Sequence, residues 1–195
     1  MQKFLLAVDK LSTRAGQLSA ISVVILTALI CWEVFSRYAL NSPHDWVFDL
    51  TYMLYGILFM MAGAYTLSKN GHVRGDVLYG FFNPRTQASL DLLLYFVFFI
   101  PGIVALVYAG VIFAADSVAI NEHTTQTANG PPLYPYKMII PLAGGLLLIQ
   151  GFVEIVRCII CIKTGEWPKR EHDVEEVDVD KLKAMVSHED EKKGA

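Results

Sequence analysis

The feature that most constrains this chain is where charge is missing. Residues 15–32, 50–68 and 92–115 carry no Asp, Glu, Lys or Arg, and 138–153 lie uncharged between Lys137 and Glu154, with apolar residues continuing to Ile162. A helix rises about 1.5 Å per residue and the hydrocarbon core is about 30 Å thick, so roughly 20 apolar residues cross it. In lipid every backbone N–H and C=O needs a partner inside the segment, which selects helices. Charged residues make up 18% of the 195-residue chain, against about a quarter in a soluble domain, and most of the acids crowd into the last 33 residues. This excludes a soluble enzyme, a disordered chain and a nucleic-acid binder, which needs a basic face. Three cysteines make no disulfide scaffold. The expected fold is an all-α integral membrane protein of four transmembrane helices, spanning about 15–37, 47–68, 92–115 and 138–161.

Lys and Arg orient these spans. Three precede the first span, and the connections then carry one, three and one, with eight more from Arg157 onward. The alternation places both termini and the middle loop in the cytoplasm. The first span is too long for a cleavable leader and ends in Trp32-Glu33 rather than small residues. Residues 1–14 put Phe4, Leu5, Val8 and Leu11 on one face, which suits an interfacial amphipathic helix, with a frayed terminus as the alternative. Val77 to Phe82 suit a second interfacial segment, and Asn83-Pro84 closes it. The acidic tail, 163–195, has the composition of a disordered segment.

Candidate functional residues cluster at span ends. Glu33 and Arg37, at i and i+4, form either a local helix-end salt bridge or a docking pair. Asp49, just after Trp46, sits where the helix dipole favours an acid and could face Arg37 across the outer layer. His72, Arg74 and Asp76 lie at the cytoplasmic end of the second helix. They are too few for a metal site, while Arg74 suits a lipid headgroup or a partner's carboxylate as well as a solvated helix end. Cys158 and Cys161 have C-x-x-C spacing, but their Ile-flanked cytoplasmic setting favours buried or lipid-facing thiols over redox chemistry. Glu154 and Arg157 can pair, with Arg157 snorkelling inward. Mid-span polarity is limited to Thr27, Tyr108 and Gln150. Gly102, Ala105, Ala109 and Gly110, and Ala143, Gly144, Gly145 and Gly151, permit close helix approach, and Pro101 and Pro141 can kink their helices. No catalytic, cofactor-binding or metal site is read from these residues.

Three function classes remain. A self-contained four-helix transporter needs an ionisable group in the bundle interior or repeated halves with broken helices. A membrane thiol oxidoreductase needs accessible cysteines. A helper subunit bracing a larger partner needs apolar faces and anchored ends, and the sequence has these.

The run Trp32-Glu33-Val34-Phe35-Ser36-Arg37-Tyr38, then Trp46 with Asp49, then Gly63-Ala64 and His72-Val73-Arg74-Gly75-Asp76, resembles the small membrane subunit (DctQ type) of tripartite ATP-independent periplasmic (TRAP) transporters. In that family E-x-x-S-R-Y, a W-x-x-E-like start to the second span and H-V/I-R-x-D recur in this order. Pro135 and Pro141, before and within the last helix, fit as well, and the likeness covers about residues 1–165. Asp49 stands where Glu is commoner, and Gly75 replaces an apolar residue. The resemblance implies a scaffold in the bacterial inner membrane, without enzymatic activity or cofactor. Its partners would be a large integral-membrane subunit carrying the sodium and substrate sites, a periplasmic substrate-binding protein and membrane lipids. Family substrates are organic acids such as dicarboxylates or sialic acids. Glu33, Arg37, Trp46 and Asp49 would form an outer docking cluster, and His72, Arg74 and Asp76 an inner one.

Overall fold

The computed structural model describes residues 2–71, 79, 81–127, 130–168 and 170. Helix α1 runs Gln2–Ala39 and α2 Asp45–Ser68. Helix α3 (Pro84–Leu94) passes through a π-helical turn (Tyr95–Phe99) into α4 (Ile100–Ala119). A short α5 (Tyr134–Lys137) leads into α6 (Ile139–Thr164). The described residues thus contain four helical rods long and apolar enough to cross a membrane, as the charge gaps require. Helix α6 is the hub: it packs against α1, α2, α3 and α4, while α1 packs chiefly along α2.

Each rod stops for a local chemical reason. Asn41, Asn70 and Asn121 all have positive φ (51°, 57° and 48°), and Gly165 ends α6 at φ 85°. The left-handed conformation lets the chain turn back so that later N–H groups reach the orphan carbonyls of the last turn, and Asn is among the few side-chain-bearing residues that accept it readily. Gly71 N accordingly donates to Thr66 O (2.9 Å) and Glu122 N to Ser117 O (3.0 Å). Pro101 has no N–H for the carbonyl four residues back, and the π turn immediately before it absorbs that defect. Pro141 likewise has nothing to donate to Lys137 O, and the α5–α6 junction falls at Met138 rather than at a kink inside α6.

Residues 1–14 depart from the interfacial helix expected of them. From Gln2 they continue unbroken into the first span, because no breaker separates them from it and their inner face is used. Leu5 and Val8 form a buried cluster with Val153, packed by Val156 and Ile160. At 38 residues α1 is about 57 Å long, nearly twice the hydrocarbon thickness. The second interfacial segment and the acidic tail fall mostly outside the described residues.

Small residues set the crossings, though not all of those expected. A Cβ on Gly144 would meet Val107, one on Gly151 would meet the Phe99 ring, and one on Gly110 would press on Ile140, whereas Gly102 and Gly145 have nothing within 4 Å. Between α1 and α2 the close approach is at Gly16, where a Cβ would come within 2.5 Å of Tyr65 Cβ. Backbone-near atoms cannot swing away as a side-chain tip can. Gly16→Val is therefore expected to wedge α1 from α2, costing about 1–3 kcal/mol. A thermal melt in detergent should show a lowered midpoint, whereas Gly145→Val should leave it unchanged.

Candidate functional site

The end of the bundle where α1 begins and α6 finishes holds a charged network among its most buried side chains. Arg157, on α6, is 0% exposed, and Asp9 and Glu154 are each 2% exposed. The Arg157 guanidinium donates to the Asp9 carboxylate and, at 2.5 Å, to Glu154 Oε1. Gln150 ties the same groups together: its amide N–H₂ donates to Asp9 (2.9 Å) and its carbonyl oxygen accepts from Ser12 Oγ (2.8 Å). Arg170, past the end of α6, folds back to Glu154 Oε2 at 2.5 Å. Two acids thus face two guanidiniums. An isolated buried charge costs several kcal/mol, so this balance makes the burial tolerable.

The three-residue spacing predicts the Glu154–Arg157 pair, with Arg157 snorkelling inward along the helix to the cytoplasmic interface. The structure instead turns it into the bundle, because Asp9 of α1 supplies a second counter-charge there. Asp9 was missed. Its signal was present as an acid among Leu5, Val8 and Ser12, the spacing of the buried face of α1.

The outer cluster divides into two separate arrangements. Glu33 accepts from Arg37 Nη2 (3.0 Å) and from the backbone N of His44 (3.2 Å), and it also lies 3.3 Å from His44 Nδ1. It therefore finishes α1 and fastens the start of α2 with one carboxylate. Ser36 Oγ donates to Ser42 O (2.6 Å), closing the same turn. Arg37 remains more than half exposed, and Trp46, edge-on to the His44 ring, is 44% exposed.

Asp49 does not face Arg37. It is fully buried and accepts hydroxyl hydrogen bonds from Thr124 (2.8 Å) and Thr127 (2.5 Å). Both threonines lie on the long loop between α4 and α5, which folds down over the first turns of α2. A shorter Asp side chain reaches because the loop comes to it. The loop is pinned again by Glu122, which pairs with Lys137 Nζ at 2.5 Å, and by Leu133 N donating to Glu122 O at 2.8 Å. Lys137 also stands over the Phe113 ring, 3.8 Å from its centroid.

His72, Arg74 and Asp76 lie outside the described residues. Cys158 and Cys161 are buried, packed with Ala88 in one apolar cluster. The family model described as "Tripartite ATP-independent periplasmic transporters, DctQ component" matches residues 26–160, well over half of the chain. No curated protein matches it.

Two outcomes follow from this geometry. Arg157→Met strands the buried Asp9 carboxylate and leaves Glu154 to Arg170 alone, and should destabilise the bundle by about 3–5 kcal/mol, while Asp9→Leu with Arg157→Met, which keeps the Glu154–Arg170 pair, should recover most of that loss. Detergent melts of the single and double variants check this. The Lys137 ammonium holds the Glu122 carboxyl below its ordinary range. A lowered acid stabilises the fold above its unfolded value and stops doing so as pH falls through the folded one. The protection factor of the Leu133 N–H, its exchange relative to the intrinsic rate at the same pH, should therefore fall in acid, and in Lys137→Met it should already be low at neutral pH.

Proposed function

The chain belongs to the DctQ component family of tripartite ATP-independent periplasmic transporters, and from that premise we propose that it is the stationary scaffold of a sodium-coupled organic-acid uptake system. It is a multi-pass membrane component of a transporter, not an enzyme. In the proposed arrangement it sits in the bacterial inner membrane with both termini in the cytoplasm, following its Lys/Arg asymmetry. It braces a large integral-membrane subunit that carries the sodium and substrate sites, and a periplasmic protein delivers the substrate.

One observation carries this reading. The buried charged side chains among the described residues are Asp9, Asp49, Asp91, Lys137, Glu154 and Arg157, and each is engaged inside the chain. Asp91 accepts from Tyr79 OH at 2.8 Å, and the others are held as described above. A carrier needs a charged group that changes partner during its cycle, whereas here the charges fasten one segment to another. That division of labour suits a rigid brace against which another subunit moves.

Docking is proposed for both polar clusters. In the outer one Glu33 and Asp49 fix helix ends from within, while Arg37 and Trp46 face outward. His72, Arg74 and Asp76 would serve the inner one. Reconstituted alone into liposomes under an inward sodium gradient, the protein should move no dicarboxylate or sialic acid. Uptake should appear only with the large subunit and the binding protein present. Solute flux from this chain alone would remove the scaffold reading.

A further inference from the structure

At the outer end of the bundle, a cleft of about 540 Å³ opens between the end of α1 and the start of α2. Its walls are of two kinds. Ile30, Val34 and Phe48 make an apolar side, and all three are exposed on the rod surfaces. Arg37 and Asp45 make a charged side, and both are exposed. Trp32 and Trp46, half exposed at the same end, mark the depth of the lipid headgroups. We propose that this cleft binds one phospholipid carrying both a phosphate and a primary ammonium, of the phosphatidylethanolamine type.

The charges choose that headgroup. Glu33 takes one donor of the Arg37 guanidinium and is itself occupied by His44 N. The remaining forked donors of Arg37 suit phosphate oxygens. The cleft lining also carries two carboxylates, Glu33 and Asp45, against the one guanidinium. A purely anionic headgroup would be repelled by that balance. A zwitterion satisfies it, with its phosphate on Arg37 and its ammonium on Asp45. One acyl chain would follow Ile30, Val34 and Phe48 toward the membrane centre.

This inference deepens the docking role proposed for Arg37 by naming lipid as what it holds. The test uses the whole complex in phosphatidylcholine nanodiscs doped with either phosphatidylethanolamine or phosphatidylglycerol, with retained lipid read by native mass spectrometry. Retention of phosphatidylethanolamine over phosphatidylglycerol is expected. Arg37→Gln and Asp45→Asn should each lower that retention on the order of tenfold, the loss of one charge-assisted contact. A photoreactive side chain at Val34 should join to lipid. Equal retention of the two lipids, unchanged retention in both variants, or a Val34 crosslink to the large subunit would each overturn the proposal. In Arg37→Gln, loss of lipid with the large subunit still bound supports it. Loss of the large subunit with lipid retained assigns Arg37 to protein docking and refutes the lipid site.

Discussion

A guanidinium shut away from water must keep its counter-charges within reach, and the placement of Arg157 makes that requirement govern the bundle. Its carboxylate partners come from the far end of the sequence, at Asp9, and from one helical turn away, at Glu154. The pairing therefore sets where the start of α1 lies against α6, and with it the course of a helix far longer than the bilayer is thick. Leu5 and Val8 meet Val153 beside the held Asp9. Apolar helices in lipid gain little from hiding apolar surface against one another, so directional polar contacts and close backbone approach carry much of the specificity. Gln150 and Ser12 add two neutral hydrogen bonds to the charged ones, leaving α1 few ways to slide.

The outer end solves the same problem with neutral donors. Asp49 lies just past the first turn of α2, and two threonine hydroxyls from a distant loop cover it. Lys137 and Glu122 fasten the other side of that loop. The loop thus becomes a lid on the bundle with polar groups turned inward, while Arg37 and Trp46 stay on the outer surface. This combination of a fixed interior and a surface with chemistry to spare fits the scaffold role proposed above.

Much of the architecture was legible because the membrane allows so few solutions. The charge gaps at 15–32, 50–68 and 92–115 each became part of a spanning helix, and the apolar run after Lys137 became the fourth. Glu33 and Arg37 paired as their four-residue spacing required. The stops at Asn41, Asn70, Asn121 and Gly165 are readable afterwards as one device, since Asn and Gly tolerate positive φ. Harder to read were positions whose role depends on a distant segment. Gly110 and Gly102 look alike in sequence, yet only Gly110 meets a neighbouring helix. Asp49 looked like a partner for Arg37 because both lie at one end of the bundle, but a loop more than seventy residues away claimed it.

By itself, the sequence determined the number of apolar helical rods and the family, because these rest on hydrophobic length and motif order, both of which are short-range. Only the tertiary structure decided that residues 2–14 extend the first span, that Arg157 enters the bundle to meet Asp9 and that Asp49 holds a loop. Each of those outcomes is a choice of partner for a charged or polar group. In a low-dielectric interior that choice belongs to whichever complementary group folding brings within about 3 Å, and spacing along the chain does not reveal it.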